Sequence, residues 1–255
     1  MELNVKLKAF LLLVWMGTAA LQAESQAGYA FLNKITELEH DLLAFTKYHL
    51  LFQAFPDKPH YYSERERYFE RYESAIRQAA IDLRGGVNQT LLTRFVDAGN
   101  GMKELRAEAA PSSRSRLLQA GWILEEDIHR ISSAKILTLT STQRIVYVLT
   151  RMQMLLEGMT QDYVLALVSP KEKKARMDLR KRMKRFDENL QRCADYAYWR
   201  PEERRQRDRI AQTWVVWKRE LGGRGLPLVL EVGSEHLSML IGRLKQMHQG
   251  ENEDE

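Results

Sequence analysis

Two pairs of residues have the Glu-x-x-His spacing that di-iron helical bundles use to place two ligands on one helix face. They are Glu37 with His40 and Glu126 with His129. At about 100° per residue, the first pair lies opposite the apolar stripe that begins at Ile35, and the second pair is placed likewise. We therefore predict that both pairs face solvent and that the protein holds no metal.

No other pattern typical of an enzyme or a cofactor site occurs in the sequence. It has no Gly-x-Ser-x-Gly, no P-loop, no paired cysteines and no His-Glu-x-x-His. The one cysteine, Cys193, falls on an apolar stripe and is predicted to be a small buried hydrophobe. We therefore expect a non-catalytic protein with no catalytic residue and no cofactor.

Two arginines form the best candidate for a ligand site. Arg144 and Arg151 share one flank of a predicted helix, about 10 Å apart, beside an apolar stripe that begins at Ile145. A guanidinium at a seam between helices can bind a planar anion in a forked manner, which predicts a small anionic ligand. The alternative is that each arginine covers the seam and pairs with a carboxylate.

Basic residues are concentrated in the segment from Lys171 to Arg185. This run would suit contact with anionic lipid headgroups at a membrane surface, or with an acidic partner protein. The alternative is the solvated face of an amphipathic helix, since acidic residues are interspersed. The formal net charge of +5 is a mild excess. No nucleic acid is expected as a partner, because the N-terminus predicts export.

The N-terminus resembles a secretory signal. Lys6 and Lys8 precede an apolar run over residues 9–21, which is short for a membrane span, and Ala20 or Ala23 would precede the cleavage site. We predict a signal peptide over residues 1–23 and a periplasmic location for the remainder. The alternative is an uncleaved membrane anchor with the same orientation.

Apolar residues recur at spacings of three and four along most of the chain, which predicts amphipathic helices. The six prolines lie between these segments or at their first residue, and none lies in the interior of one, as expected if the segments are helices. We predict eight helices, over residues 29–54, 62–84, 89–109, 114–133, 141–168, 170–195, 201–221 and 227–249. One region is ambiguous: the β-branched residues from Ile136 onward suit either a short strand or a kink in one long helix.

The sequence also contains a weak internal repeat. The segment that begins at Arg71 returns at Arg185, 114 residues later, and the segment that begins at Tyr48 returns at Tyr163, 115 residues later. Four helices per repeat predict an all-α fold of two tandem antiparallel four-helix bundles after the signal peptide. The predicted units are 24–136 for the first repeat, 137–250 for the second, and 251–255 for an acidic tail.

The fifth predicted helix carries a resemblance to a known family. Its segments from Thr142 to Ile145 and from Thr150 to Gln153 resemble the first helix of a periplasmic sensor module. That module occurs in nitrate/nitrite sensor kinases and in the methyl-accepting chemotaxis transducers of type IV pili. Arg151 and Met152 match the leading Arg-Met of the family motif, whereas Met154 and Leu156 stand where the family has serine and a second arginine.

The resemblance implies a four-helix bundle, tandem in the pilus transducers, and a role in sensing. Together with the residues, it predicts a free-standing, sensor-like exported protein that binds a small anion at Arg151 and Arg144. Its partner would be a membrane-bound signalling protein or another envelope protein. The alternative function is that of a purely structural or interaction protein of the cell envelope with no small-molecule ligand.

Overall fold

The computed structural model of the protein describes residues 2–82, 87–107, 111–168, 173–223 and 227–250. Within these ranges the fold is all-α, as predicted, and contains no strand. One 3-10 helix, Ile136–Thr138, separates the first four α-helices from the last four. The α-helices are α1 Glu2–Ala54, α2 Pro59–Asp82, α3 Val87–Arg106, α4 Pro111–Lys135, α5 Ser141–Val168, α6 Lys173–Asp195, α7 Pro201–Gly222 and α8 Pro227–Gln249.

The helix boundaries follow local sequence signals. Four helices begin at a proline, which has no amide hydrogen to leave unsatisfied in the first turn and whose fixed φ suits a helix. At the start of α5, Thr140 and Gln143 form a capping box, in which each side chain accepts a hydrogen bond from the other residue's amide. The amide of Gln143 donates to Oγ1 of Thr140 at 3.2 Å, and the amide of Thr140 donates to Oε1 of Gln143 at 3.1 Å. Ser63 and Glu66 have the same spacing in the sequence, but they do not mark a helix start, because α2 already begins at Pro59.

Helix α1 is longer than predicted. Its backbone runs without a break from Glu2 to Ala54, so the expected boundary between residues 23 and 24 does not coincide with a helix end. No helix in the described ranges is both long and apolar enough to span a membrane. The signal peptide remains a prediction, and the tail at 251–255 lies outside the described residues.

The region around Ile136 is neither of the predicted alternatives. Helix α4 ends at Lys135, a single 3-10 turn follows, and Leu139 then adopts an extended backbone before α5 begins at Ser141. The side chain of Leu139 is buried, with 4 % of its surface exposed. The β-branched segment therefore forms a short connection that is anchored by one apolar side chain.

The two halves of the chain place their helices in the same order. In the first half α1 packs on α2 and α4, and α3 packs on α2 and α4. In the second half α5 packs on α6 and α8, and α7 packs on α6 and α8. Helices α1 and α5 also pack on each other. They run in the same direction, because contacts ascend together from Ser25 with Gln143 to Lys47 with Glu157.

Two apolar clusters form the core, and the predicted stripes point into them. The four stripe residues of α7, Ile210, Trp214, Trp217 and Leu221, are all buried. The first cluster is built mainly on α1 to α4 but also takes in Val164 of α5, and the second is built on α5 to α8. Helix α5 is buried along nearly its whole length from Ile145 to Leu165. Most of its polar residues are therefore expected to pair within the protein.

Phe186 tests whether α6 turns its predicted apolar face toward the core. Its side chain is fully buried in the second cluster, and its ring centroid lies 4.2 Å from that of Trp214. We expect Phe186→Ala to lower the free energy of unfolding by about 3–5 kcal/mol, because it leaves a cavity. Chemical denaturation measures this change. A loss below about 1 kcal/mol would mean that the ring is not packed as described.

Candidate functional site

Arg151, the first predicted ligand-binding residue, lies buried between α5 and α1. Its Nη1 donates a hydrogen bond to Oε2 of Glu39, which is also buried. Burial raises the pKa of Glu39 to about 7, and the charge of Arg151 offsets this only in part. Burial opposes the charge of Arg151 as well, but the attraction of Glu39, with further contributions from Tyr147 and Glu125, outweighs it and raises the pKa of the guanidinium. Glu39 is therefore the member of the pair that can take up a proton.

Arg182 of α6 is the centre of a second buried cluster. Its Nη1 donates to Oδ2 of Asp162 and to the carbonyl of Gly158, both at 2.7 Å. Its Nη2 donates to Oε2 of Glu125 at 2.6 Å, and Arg185 donates to the other oxygen of Glu125 at 2.9 Å. One guanidinium thus joins α4, α5 and α6.

Gly158 makes room for this guanidinium. A Cβ atom built at Gly158 would lie 2.7 Å from Cζ of Arg182, closer than two carbon atoms can approach without contact strain. The absence of a side chain on α5 therefore allows Arg182 to reach the helix backbone.

Two carboxyl groups share the guanidinium of Arg182, and their pKa values move apart. Burial, with the nearby charge of Glu125, raises the pKa of Asp162 to about 8 although Arg182 opposes the change. Burial also acts on Glu125, but Arg182, Arg151 and Arg185 together outweigh it and lower the pKa of Glu125 to about 2. A proton added to this cluster is therefore expected on Asp162.

A third buried pair crosses between α1 and α5. Nζ of Lys47 lies 2.8 Å from Oε2 of Glu157, and 1 % of the lysine is exposed. Burial opposes both charges, but mutual attraction raises the pKa of Lys47 and lowers that of Glu157. Two ion pairs thus lie along the interface between α1 and α5. Helix α1 contributes the acidic residue to one pair, Glu39 with Arg151, and the basic residue to the other, Lys47 with Glu157.

A cavity of about 290 Å³ lies beside Arg151, between α4, the 3-10 turn, α5 and α6. Three arginines contribute to its wall, Arg151, Arg185 and Arg192, and one carboxylate, Glu188. Its other lining residues are His129, Ser132, Ser133, Ile136, Leu137, Tyr147, Leu155 and Asn189. The cavity therefore combines forked donors with neutral polar groups and a small apolar wall, as ligand pockets do.

Positive side chains outnumber negative ones in the lining of this cavity. The pKa of His129 is lowered, first by partial desolvation of its ring and then by the charges of Arg185, Arg151 and Arg192, against the opposing charge of Glu125. Arg192 is exposed, and Asn189 is the one residue in the described ranges to which its guanidinium donates a hydrogen bond, at 3.4 Å. The lining can therefore receive an anion without first breaking an ion pair of Arg192.

Arg144, the second predicted ligand-binding residue, lines a different cavity. It is exposed, and its Nη2 donates to the carbonyl of Leu139 at 3.2 Å. This second cavity, of about 390 Å³, shares Ile136 and Arg192 with the first. Its other lining residues are Ser141, Ile145, Val148, Asp195 and Tyr196. The structure thus places the two predicted arginines in adjoining cavities.

The basic run is more varied than predicted. Most of its described residues are exposed, but Arg182 is buried. The prediction that this segment could contact a membrane surface is therefore wrong for Arg182. Lys171 lies outside the described residues. Arg182 follows Leu179 by three positions and precedes Phe186 by four, so its place on the apolar stripe was a signal of burial.

The Glu-x-x-His pairs do not form a metal site in the described part of the chain. Glu37, Glu126 and His129 are exposed, as predicted, whereas His40 is half-buried with Nδ1 3.3 Å from Oδ1 of Asp41. No group of three or more potential ligands gathers among the described residues.

Comparison with known proteins gives no further assignment: no protein-family model, no curated protein and no solved structure matches the chain.

The ion pair of Arg151 and Glu39 can be tested by a double-mutant cycle. We expect Arg151→Met to lower the free energy of unfolding by about 3–5 kcal/mol, because it leaves Glu39 buried without its partner. The double variant Glu39→Leu with Arg151→Met should recover most of this loss, since apolar side chains replace both charges. Arg209→Met, at an exposed position on α7, is the control and should change stability by less than about 0.5 kcal/mol. Additive losses in the double variant would contradict the pairing.

Asp162 predicts a pH dependence of stability. Its pKa is higher in the folded state than in the unfolded chain, so its contribution to stability is full at low pH and is lost as pH rises through about 8. Asp162→Asn mimics the protonated form and does not titrate. We therefore expect the wild type to lose stability relative to Asp162→Asn as pH rises from about 4 to about 8. Denaturation curves across this range measure the difference, and two parallel pH profiles would contradict the assignment.

Proposed function

We propose that this protein is a non-catalytic, exported, sensor-like helical protein that binds a small anion in the cavity beside Arg151. The observation that supports this most is the positive lining of that cavity. Arg151, Arg185 and Arg192 all line it, against the single carboxylate of Glu188. The volume of about 290 Å³ is close to the lower end of typical ligand pockets, at roughly 300 Å³.

Arg151 would connect ligand binding to a movement of helices. It lines the cavity on the side of α4 and α6 and holds Glu39 of α1 on its other side. An anion that approaches Arg151 competes with Glu39 for the same guanidinium. Binding then favours any packing of α1 on α5 in which that contact is weaker, which is the differential affinity that a conformational shift requires.

We further propose that the chain consists of two tandem four-helix units, residues 24–136 and 137–250, joined through α1 and α5. The shared order of helix neighbours in the two halves supports this reading. So does the resemblance of α5 to the first helix of the periplasmic sensor module. In this arrangement the ligand cavity lies where the two units meet.

The output of such a sensor would be contact with another protein. We propose export through the segment 1–23, a periplasmic location, and a membrane-bound signalling protein or another envelope protein as the partner. Exposed basic residues of α6, such as Arg180 and Lys184, would suit an acidic partner or a membrane surface.

One observation favours a second candidate function, that of a purely structural or interaction protein. Large apolar side chains are exposed on α7 and α8, where a partner could cover them. They are Val215, Val216, Val229, Val232 and Met239. In this reading Arg151 serves only to hold Glu39, and no small molecule binds.

The two candidates are separated by measuring anion binding directly. Thermal shift and titration calorimetry with acetate, succinate, citrate, nitrate and phosphate should show that at least one anion stabilises the wild type. Arg151→Lys keeps a positive charge beside Glu39 but removes the forked donors, and we expect it to weaken binding about tenfold or more. Arg192→Gln, at an exposed position of the same cavity, should act in the same direction.

Arg209→Gln is the matched control, because it removes one exposed arginine that lines neither cavity. Binding in this variant should equal that of the wild type. If no anion binds the wild type, the structural candidate is favoured. Equal binding by the wild type, Arg151→Lys and Arg192→Gln would show that the anion does not bind in this cavity.

A further inference from the structure

The two arginine-lined cavities lie along one face of α5. Arg144, Val148, Arg151 and Leu155 are separated by four, three and four residues, which places them on one line along the helix. Cationic and apolar side chains therefore alternate along this line. The two arginines start about 10 Å apart on the helix axis, with Val148 between them.

Arg192 connects the two cavities. It contributes to the wall of both, as does the apolar Ile136. Neither Arg192 nor Arg144 has a carboxylate partner within the described ranges, whereas Arg151 and Arg185 are paired with Glu39 and Glu125. The two arginines that are available to a ligand thus surround the second cavity.

Charge and shape of the combined lining point to a ligand with two negative ends. Four arginines and two carboxylates, those of Glu188 and Asp195, line the two cavities. Arg151 and Arg185 also have carboxylate partners outside the lining, so the excess of positive charge is carried by Arg144 and Arg192. Ile145 and Val148 form an apolar wall in the second cavity and Leu155 one in the first. A hydrocarbon spacer would contact these side chains, while its two ends reach arginines.

Tyr196, which lines the second cavity, is held by a chain of polar contacts through His248 to Glu203. The hydroxyl of Tyr196 lies 3.2 Å from Nε2 of His248, and Nδ1 of His248 lies 3.0 Å from Oε1 of Glu203. Glu203 is fully buried. This chain of contacts orients the ring of Tyr196 before any ligand arrives, which reduces the ordering that binding would require.

We propose that the ligand is a linear dicarboxylate that spans both cavities. One carboxylate binds beside Arg151 and Arg185, the other binds between Arg144 and Arg192, and the methylene chain lies over Val148. This proposal rests on the proposed function, since it requires anion binding beside Arg151. It adds the class of ligand and gives Arg144 the role of selecting for the second carboxylate.

A length series tests the proposal. The probes are the linear dicarboxylates from succinate to suberate, each paired with the monocarboxylate of the same carbon number, and calorimetry gives the dissociation constants. For the wild type, affinity should peak at one chain length, where the dicarboxylate binds about tenfold or more tightly than its monocarboxylate, a difference of about 1.4 kcal/mol. Arg144→Gln should abolish this advantage, because the second carboxylate loses one of its two arginines.

Arg144 is exposed, so its replacement should not disturb folding, and Arg209→Gln again controls for the loss of one positive charge. Anion binding that does not depend on chain length, or that is unaffected by Arg144→Gln, would overturn the two-cavity proposal while leaving the proposed function intact. If none of the carboxylates binds but nitrate or phosphate does, the dicarboxylate class is wrong. If no anion binds at all, both proposals fail.

Discussion

The burial of charge between α1 and α5 is the constraint on which the rest of the structure depends. Glu39 on α1 faces Arg151 on α5, and two turns further along Lys47 on α1 faces Glu157 on α5. Buried ions are costly to desolvate, so each must meet its counterion. The second pair has the opposite orientation, with the base on α1 and the acid on α5. Sliding α1 along α5 until Lys47 reached the position of Glu39 would therefore place two positive charges, Lys47 and Arg151, against each other. We infer that these ion pairs mainly fix the register of α1 on α5 and add less to the net stability of the protein.

Most of the helical architecture could be predicted from the sequence because its signals are local. Spacings of three and four identified the buried face of α7, and a hydroxyl followed three residues later by glutamine marked the start of α5. The failures are also local in origin. At Ile136 a β-branched, alternating segment satisfied the strand pattern, yet no neighbouring strand occurs in the described ranges, and the segment became a 3-10 turn. Ser63 met the capping pattern, but Pro59 started α2 a turn earlier.

The candidate site was predictable only in part, because its contacts join distant segments. Arg151 could be singled out from its place on the flank of α5, but its partner Glu39 lies 112 positions earlier, and nothing in the chain between them indicates the contact. Arg182 shows the opposite case. It stood in a basic run that suggested solvent, while its spacing from Leu179 and Phe186 suggested burial, and the spacing was the better guide. The space that accommodates it exists because Gly158 has no side chain, a fact that only the assembled helices reveal.

The same guanidinium that holds α1 also lines the cavity, and this has a thermodynamic consequence. If an anion beside Arg151 weakens the contact with Glu39, then a change that loosens Glu39 must strengthen anion binding by the same factor, since coupling between two sites is reciprocal. Protonation of Glu39 is such a change, and burial already raises its pKa to about 7. Near neutral pH the carboxyl group is therefore divided between its two protonation states. An anion that takes over the guanidinium would shift Glu39 toward the protonated form, so that ligand, proton and the α1–α5 interface are linked through one buried arginine.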